Sequence, residues 1–417
     1  MTECLGTLFF QEWNAREVRI ETRRNAGSWL PSNEAYRKWK TDRSQHLLWI
    51  EGKPGSGKST LIKNIMHKEH TTALRRTVAS EPDLVDDDVH KNNVDCGQDT
   101  PVIAEFYYSF RGGRKETDHN LMLQSLVYQI WTRNTRLFPL IQDQYRAMKS
   151  KGKVFWNCEE LMSALRALHR LDFDLDVIIA LDAMDESDRS DLYDVLDFLL
   201  HLPNDKSRCN IKLLIASRPE IQPMIHKCCR IVLQEENKAD IHMAVDEWAR
   251  NLPSSFDSNI LSRMKEHIIR NSNGVFLWVT LVLRDLDEYI RRGAYRQAGL
   301  LSRLQRPPKE LGGRGGFYRA MIDPLLGEDG QDRDQHEKRI DGRRILAWVT
   351  FTKRPLLIYE LQEVLAVPAD STAMGTMEYD LVANRPSDLE TGILSLCGGL
   401  VEVNNVRFSN DKANVSI

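Results

Sequence analysis

Paired cysteines are missing from this 417-residue chain. Its seven cysteines, Cys4, Cys96, Cys158, Cys209, Cys228, Cys229 and Cys397, form neither a C-x-x-C zinc pattern nor a disulfide framework. A reducing, cytoplasmic setting is therefore expected. Long apolar runs are also missing. The longest, Val275–Leu283, broken only by Thr280, falls far short of the ~20 residues a membrane span needs. The start, MTECLGTLFFQEWNAR, has no basic region leading into an apolar core, so no signal peptide is expected there. Charge of one sign is not in excess either. A net charge of −3 gives no general electrostatic case for nucleic acid or an anionic membrane as partner. No internal repeat with a period of roughly 20–50 residues is visible, so solenoids and propellers drop out.

The remaining composition, 41% hydrophobic and 28% charged, is that of a soluble globular protein rather than a disordered one. The chain is longer than one hydrophobic core usually serves, so two or three domains are expected. Its most informative stretch is His46–Thr60, HLLWIEGKPGSGKST. Gly52, Gly57, Lys58 and Ser59 fill the G-x-x-x-x-G-K-[ST] pattern of a phosphate-binding loop. Four fixed positions recur by chance on the order of once in a hundred chains this long. Here an apolar strand, Leu47–Ile50, precedes the loop, and Leu61, Ile62, Ile65 and Met66 follow it at helical spacing. The candidate nucleotide-binding residues are Gly52, Lys53, Pro54, Gly55, Ser56, Gly57, Lys58, Ser59 and Thr60. The glycines let backbone N–H groups curl around an anion, and the following helix adds the positive end of its dipole. Lys58 is placed to reach the β- and γ-phosphates, and the Ser59 hydroxyl to hold Mg²⁺.

Further apolar runs read as strands: Val102–Tyr108, Asp176–Asp182, Ile211–Ala216 and a short Arg230–Leu233. Between them Asp118–Trp131, Glu159–Leu171 and Asp191–Leu200 read as helices. Strands apolar throughout and alternating with helices predict an α/β fold, a parallel sheet covered on both faces. Residues 1–45, rich in tryptophan, read as a flank packing on that sheet, with helices near Ala15–Ile20 and Glu34–Trp39. Pro82–Asp99, rich in aspartate, reads as a solvated insertion rather than a metal site, and Arg111-Gly112-Gly113-Arg114 as a turn. After about Gln234 the strand signal vanishes. Ile260, Met264 and Ile268 share one helix face, Asn273-Gly274 is a stop, and Val275–Ile290 reads as a helix. Gly312–Gly316 reads as a flexible joint, and Arg343–Phe351 with Ile358–Val367 as a helix pair around Lys353-Arg354-Pro355. The expected organisation is a flank over 1–45, a nucleotide-binding domain over 46–233, a helical domain over 234–311 and a last domain over 317–417.

Hydrolysis needs a metal and a positioned water as well as a phosphate loop. Asp182, at the carboxyl end of its strand, stands where an open parallel sheet places ligand-contacting residues, and is the candidate Mg²⁺ partner of Ser59. Asp185 and Glu186 follow in Asp-Ala-Met-Asp-Glu as candidates to orient or activate the water. The competing reading is an acidic turn capping the next helix. Arg218, at the end of Ile211–Ala216 in Ser217-Arg218-Pro219, is a candidate sensor of the γ-phosphate; its alternative is a surface ion pair.

These pieces in this order resemble the NACHT-type ATPase module of the STAND class, and within it the fungal NLR-like and heterokaryon-incompatibility proteins, with a nephrocystin-like module. The stretches that carry the resemblance are CLGTLFF, Asn14-Ala15-Arg16, Trp29-Leu30, LLWIEGKPGSGKSTL, FYYSFRGG, VIIALDAMDES, LLIASRPEI, NGVFLWVTLVL and ILAWVTFTKRPLLIYEL. The resemblance implies a P-loop sheet of the ASCE type, a helical domain and a winged-helix-like domain. It also implies a signalling switch that binds ATP or GTP with Mg²⁺, hydrolyses it slowly and self-associates or meets effector proteins in one state. In such modules the N-terminal flank helps cover the base, which bears on Trp29. Met184 stands where the family usually has leucine, and Asn410 where it usually has a histidine of the winged-helix-like domain, which would make that domain incomplete. No effector domain precedes Cys4 and no repeat array follows Val406, so input and output modules are expected elsewhere.

Three other functions compete. A non-hydrolysing nucleotide scaffold fits the same motifs. A P-loop phosphotransferase would need an acceptor pocket. A DNA-binding regulator would use Ile358–Val367 as its reading helix, but that helix carries Glu360 and Glu363 and no Lys or Arg, the wrong charge for a phosphate-lined groove.

Overall fold

Four apolar runs and one shorter one lie side by side in a computed structural model of the chain. It describes residues 1–10, 15–20, 26–80, 100–109, 114–152, 154–219, 221, 228–253, 256–291, 297–304, 319, 322, 333–354, 356–367, 385, 386, 389, 393, 396, 397, 401–404 and 414–416. The acidic stretch Pro82–Asp99, the turn residues Arg111, Gly112 and Gly113, the Gly312–Gly316 joint and Asn410 lie outside these residues.

The strands are β1 (Leu47–Glu51), β2 (Val102–Tyr107), β3 (Leu175–Asp182), β4 (Cys209–Ser217) and β5 (Cys229–Val232). They form one sheet in the order β2-β3-β4-β1-β5, and every pairing is parallel. Parallel neighbours need crossovers, and the helices between the strands supply them on both faces. Every residue of β1 and β2 is buried, as near-continuous apolar runs require. The fold is therefore that of an α/β P-loop NTPase, with β4 inserted between the loop-bearing strand and β3.

In chain order the helices are α1 (Thr2–Leu8), α2 (Ala15–Arg19), α3 (Glu34–Thr41), α4 (Lys58–Ser80), α5 (His119–Arg133), α6 (Pro139–Ser150), α7 (Cys158–Ala167), α8 (Leu192–Leu200), α9 (Leu233–Glu236), α10 (Lys238–Arg250), α11 (Ser258–Asn271) and α12 (Phe276–Arg291). Local chemistry sets several of the starts. Asp118 accepts from the Leu121 N–H, and Asn157 forms a reciprocal capping box with Glu160. Two apolar layers sandwich the sheet. One joins α1, α5, α7 and α8 to Trp49, Val177 and Ile179. The other joins Leu30, Trp39 and the apolar face of α4 to Leu48, Ile50 and Leu214. In the N-terminal flank α3 touches β5 and β1, and α1 touches α5. α6 had no forecast. Its apolar positions Ile141, Tyr145 and Met148 are few and separated by charge.

The contacts divide the chain into two compact units, one of residues 1–255 with 268–281 and one of residues 256–267 with 282–417. In the second, helix Arg333–Phe351 and helix Ile358–Ala366 accompany strands Leu356–Leu357, Glu402–Asn404 and Asn414–Ser416. These strands pair antiparallel, with Asn414–Ser416 in the middle. That middle strand has only three residues, too few to give an alternation signal in the sequence. Glu360 and Glu363 of the shorter helix form ion pairs with Arg354 and Arg385.

Candidate functional site

The phosphate loop joins β1 to α4, as the pattern predicts. Gly55 and Gly57 have φ values of +73° and +97°, a region open to glycine and costly for other residues. At Gly55 close approach adds a second reason: a Cβ there would stand 2.6 Å from Leu277 Cβ. The Leu277 N–H donates to the Gly55 carbonyl at 3.0 Å, so the start of α12 rests on the loop. This gives the GVFLWV stretch a structural task. Asn237, just before α10, donates through Nδ2 to the Ser56 carbonyl at 3.0 Å and the Gly274 carbonyl at 2.8 Å. Gln234 accepts from the Lys53 N–H at 3.3 Å. Loop, α9–α10 junction and α12 are thereby tied together.

Lys58 Nζ donates to the Gly52 carbonyl at 2.6 Å and the Lys53 carbonyl at 3.3 Å, curled over the loop it follows. Burial holds its pKa below the ordinary lysine value, against the opposing charges of Asp185 and Asp182. Asp182 closes β3 and is fully buried. Neither carboxylate oxygen has a partner in good hydrogen-bond geometry, although the Ser59 hydroxyl stands close enough to act on it. Burial pushes its pKa up; Arg16, the nearby Ser59 hydroxyl and Lys58 pull the other way without overcoming it. An unpartnered buried carboxylate facing a serine hydroxyl and an amine is unfavourable by itself. Hard oxygen ligands of this kind suit Mg²⁺, so Ser59 and Asp182 fit the metal that the motif implies.

Directly after Asp182 the chain turns sharply. Ala183 is left-handed, at φ 56° and ψ 45°, and Met184–Glu186 form a single 3-10 turn. A non-glycine residue there stores about 1–3 kcal/mol of strain, the kind of cost met at functional turns. The turn brings Asp185 and Glu186 to the carboxyl edge of the sheet, and each meets an arginine. Asp185 accepts from the Arg218 N–H at 2.9 Å and pairs with Arg218 Nε at 2.9 Å. Glu186 pairs with Arg16 of α2 at 3.2 Å. The expected residues thus gather at one edge: Gly52–Thr60, Asp182, Asp185, Glu186 and Arg218. Sequence reasoning gave no role to Arg16, Gln234, Asn237 or Asp240. Arg16 was visible only inside the Asn-Ala-Arg resemblance, and the other three carry no local pattern. No cluster of three or more His, Cys, Asp or Glu with metal-site geometry occurs among the described residues.

The sheet order, the loop and the buried strand-end aspartate define a P-loop NTPase-type site. Residues 25–218 match the family model described as nephrocystin 3, N-terminal. Vegetative incompatibility protein HET-E-1 of Podospora anserina is 24% identical over 421 residues, covering 95% of this chain and 26% of that protein. The chain thus spans about a quarter of this relative's length. Together these matches support a NACHT-like, NLR-like module here. Among solved structures, Drosophila ORC bound to DNA aligns at a TM-score of 0.38 with 12% identity, covering 99% of this chain and 88% of that one. Cdc6p from Pyrobaculum aerophilum aligns at 0.36 with 14% identity, covering 95% and 91%. Both are too distant to speak for ligand or partner. No helix among the described residues is long and apolar enough to cross a membrane.

Proposed function

We propose that the chain is a nucleotide-dependent signalling switch that binds a nucleoside triphosphate with Mg²⁺ and hydrolyses it slowly. The observation that carries this reading is the closeness of Lys58 and Ser59, at the start of α4, to the fully buried carboxylate of Asp182, whose oxygens have no partner in good hydrogen-bond geometry. Backbone N–H groups of Gly55–Ser59 and the Lys58 amine would hold the phosphates, and Ser59 and Asp182 the metal. When bound, the metal would neutralise charge on the transferred phosphoryl group. In this reading Asp185 and Glu186 would orient water, and Arg218 would sense the γ-phosphate. The N-terminal flank and α12, both in contact with the loop region, supply the means to couple nucleotide state to packing. Oligomerisation or binding of effector proteins in one nucleotide state is the output this reading expects, by analogy with HET-E-1 as an incompatibility protein.

One observation favours a second reading, a scaffold that binds nucleotide without hydrolysing it. Asp185 and Glu186 are both engaged by arginines, and a carboxylate so paired is a weaker base. The two readings separate in one experiment: nucleotide released from purified protein is identified and counted, and phosphate release is measured on the same sample. Lys58→Ala should lose bound nucleotide; unchanged content would remove the phosphate-loop assignment. Asp185→Asn or Glu186→Gln should retain nucleotide and slow turnover. Retained nucleotide with no turnover in the wild type establishes the scaffold instead.

A further inference from the structure

Three tethers hold α2 at the carboxyl edge of the sheet. Arg16 pairs with Glu186, in the turn after β3, at 3.2 Å. Arg19 pairs with Glu116, in the turn after β2. From α4, Lys63 donates through Nζ to the Glu17 carbonyl and, at 2.7 Å, to the Ile20 carbonyl. Lys63 follows Ser59 by about one helical turn, so it belongs to the same stretch of α4 as the phosphate-loop side chains. The side chains of the two ion pairs are only 19% and 23% exposed for Arg16 and Glu186, and 25% and 13% for Arg19 and Glu116, so water screens them less than it would a surface pair. The two turns that α2 grips are themselves joined, since the Asp188 N–H donates to the Thr117 carbonyl at 2.9 Å. Among the charges around the buried Asp182, that of Arg16 acts on it most strongly. A helix of five residues is too short to persist in water by itself, so the form and place of α2 depend on these tethers.

We propose that α2 is a strap that engages Glu186 in the nucleotide-free protein and is released when a triphosphate binds with Mg²⁺. The inference rests on the phosphate-loop reading above and adds a regulation of that site. Arg16 and the metal are rival cations, since both would lie against the carboxylates of Asp182 and Glu186, and like charges so placed repel. A Glu186 carboxylate paired with a guanidinium is also a weaker base toward water. Arg19 and Lys63 lie outside the phosphate loop and its acidic turn. They are positioning residues, acting on Glu186 by holding the helix that carries Arg16. A ligand that needs the strap open binds more weakly by the fraction of molecules in which it is open, so loosening a tether should tighten binding.

The test is amide hydrogen exchange over Ala15–Ile20 in the purified full chain, without nucleotide and with AMP-PNP or GMP-PNP plus Mg²⁺, with binding measured on the same samples. Exchange there should speed up about tenfold when an analogue binds, the scale set by losing two ion pairs together. Lys58→Ala should show no such change when the analogues are added. Charge reversal supplies a second measurement. Arg19→Glu and Glu116→Arg, each alone, should bind the analogues about two- to fivefold more tightly than wild type, the range for one partly exposed ion pair, and the two changes together should restore wild-type affinity. A purely structural pair would not tighten binding when broken. Analogue binding with unchanged exchange over Ala15–Ile20 would overturn the strap and leave the phosphate loop standing. Slower exchange would overturn it as well, making Arg16 a phosphate ligand instead. Failure of both analogues to bind the wild type would overturn both readings. Unchanged affinity in both single variants would remove Arg19 and Glu116 from the coupling, and exchange in the wild type decides the matter should a variant not fold.

Discussion

Replacing Asp182 by asparagine should make the nucleotide-free protein more stable and, at the same time, blind to Mg²⁺. The carboxylate is fully buried and neither oxygen has a partner. Leaving a buried polar group unpaired costs about 1–3 kcal/mol, with charged groups at or beyond the top of that range. Asparagine keeps the shape and pays only the smaller cost of a neutral amide, so Asp182→Asn should gain about 1–2 kcal/mol near neutral pH. The gain must depend on pH in a definite sense. Burial raises the folded-state pKa of Asp182 above the ordinary value of 3.8, so the folded protein holds this proton more tightly than the unfolded chain. Wild-type stability therefore falls as pH rises from the unfolded pKa through the raised folded one, and the advantage of the variant grows across that window. Urea unfolding at about pH 4 and about pH 7.5 reads it; with a slope of ~3 kcal/mol/M the midpoint difference at the higher pH should be ~0.3–0.7 M. With Mg²⁺ and triphosphate at about a hundred times Kd, the wild type should gain about 2.7 kcal/mol, and the variant should respond to Mg²⁺ much less. A variant less stable than wild type by a constant amount at both pH values, with its Mg²⁺ response intact, would refute the assignment of Asp182 as an unpartnered metal ligand.

Three further outcomes are expected. Arg16→Ala frees Glu186 from a partly exposed ion pair worth at most about 1 kcal/mol, so global stability should barely move while phosphate release rises by up to about fivefold; slower release would show that Arg16 assists rather than restrains. Gly274→Ala puts a Cβ 2.3 Å from the Gln234 carbonyl at a φ of +74° and should cost more than ~1 kcal/mol in thermal or urea unfolding, with weaker nucleotide retention. Burial lifts the Cys209 thiol to about 12, so iodoacetamide should spare it in the native protein and modify it only after unfolding, as peptide mass mapping can show.

The strand–loop–helix of His46–Thr60 was legible because its geometry is local. Gly55, Gly57, Lys58 and Ser59 act through backbone dihedrals and a helix start within one short segment, and spacing encodes such relations directly. The parallel sheet was legible for a related reason, since strands buried on both faces must be apolar throughout. Asp182 lay in reach because a carboxylate ending such a strand has few other uses. Strand order did not follow from the runs themselves: β4 stands between β1 and β3, although β2 and β3 follow β1 in the chain.

What spacing cannot carry is a contact between residues far apart in sequence. Glu186 meets Arg16 across 170 positions, and Asp240 meets Gly27 across 213. Asp240 sits in an ordinary amphipathic helix, and nothing in its neighbours distinguishes it from a solvated aspartate. Only the packing of the N-terminal flank against α10 strips it of water and occupies one of its oxygens. The local pattern by itself determined where a glycine-rich loop joins a buried strand to a helix and which polar side chains flank that junction. The tertiary structure decided what surrounds them, because burial and the pairing of charges arise only when distant segments share one interior.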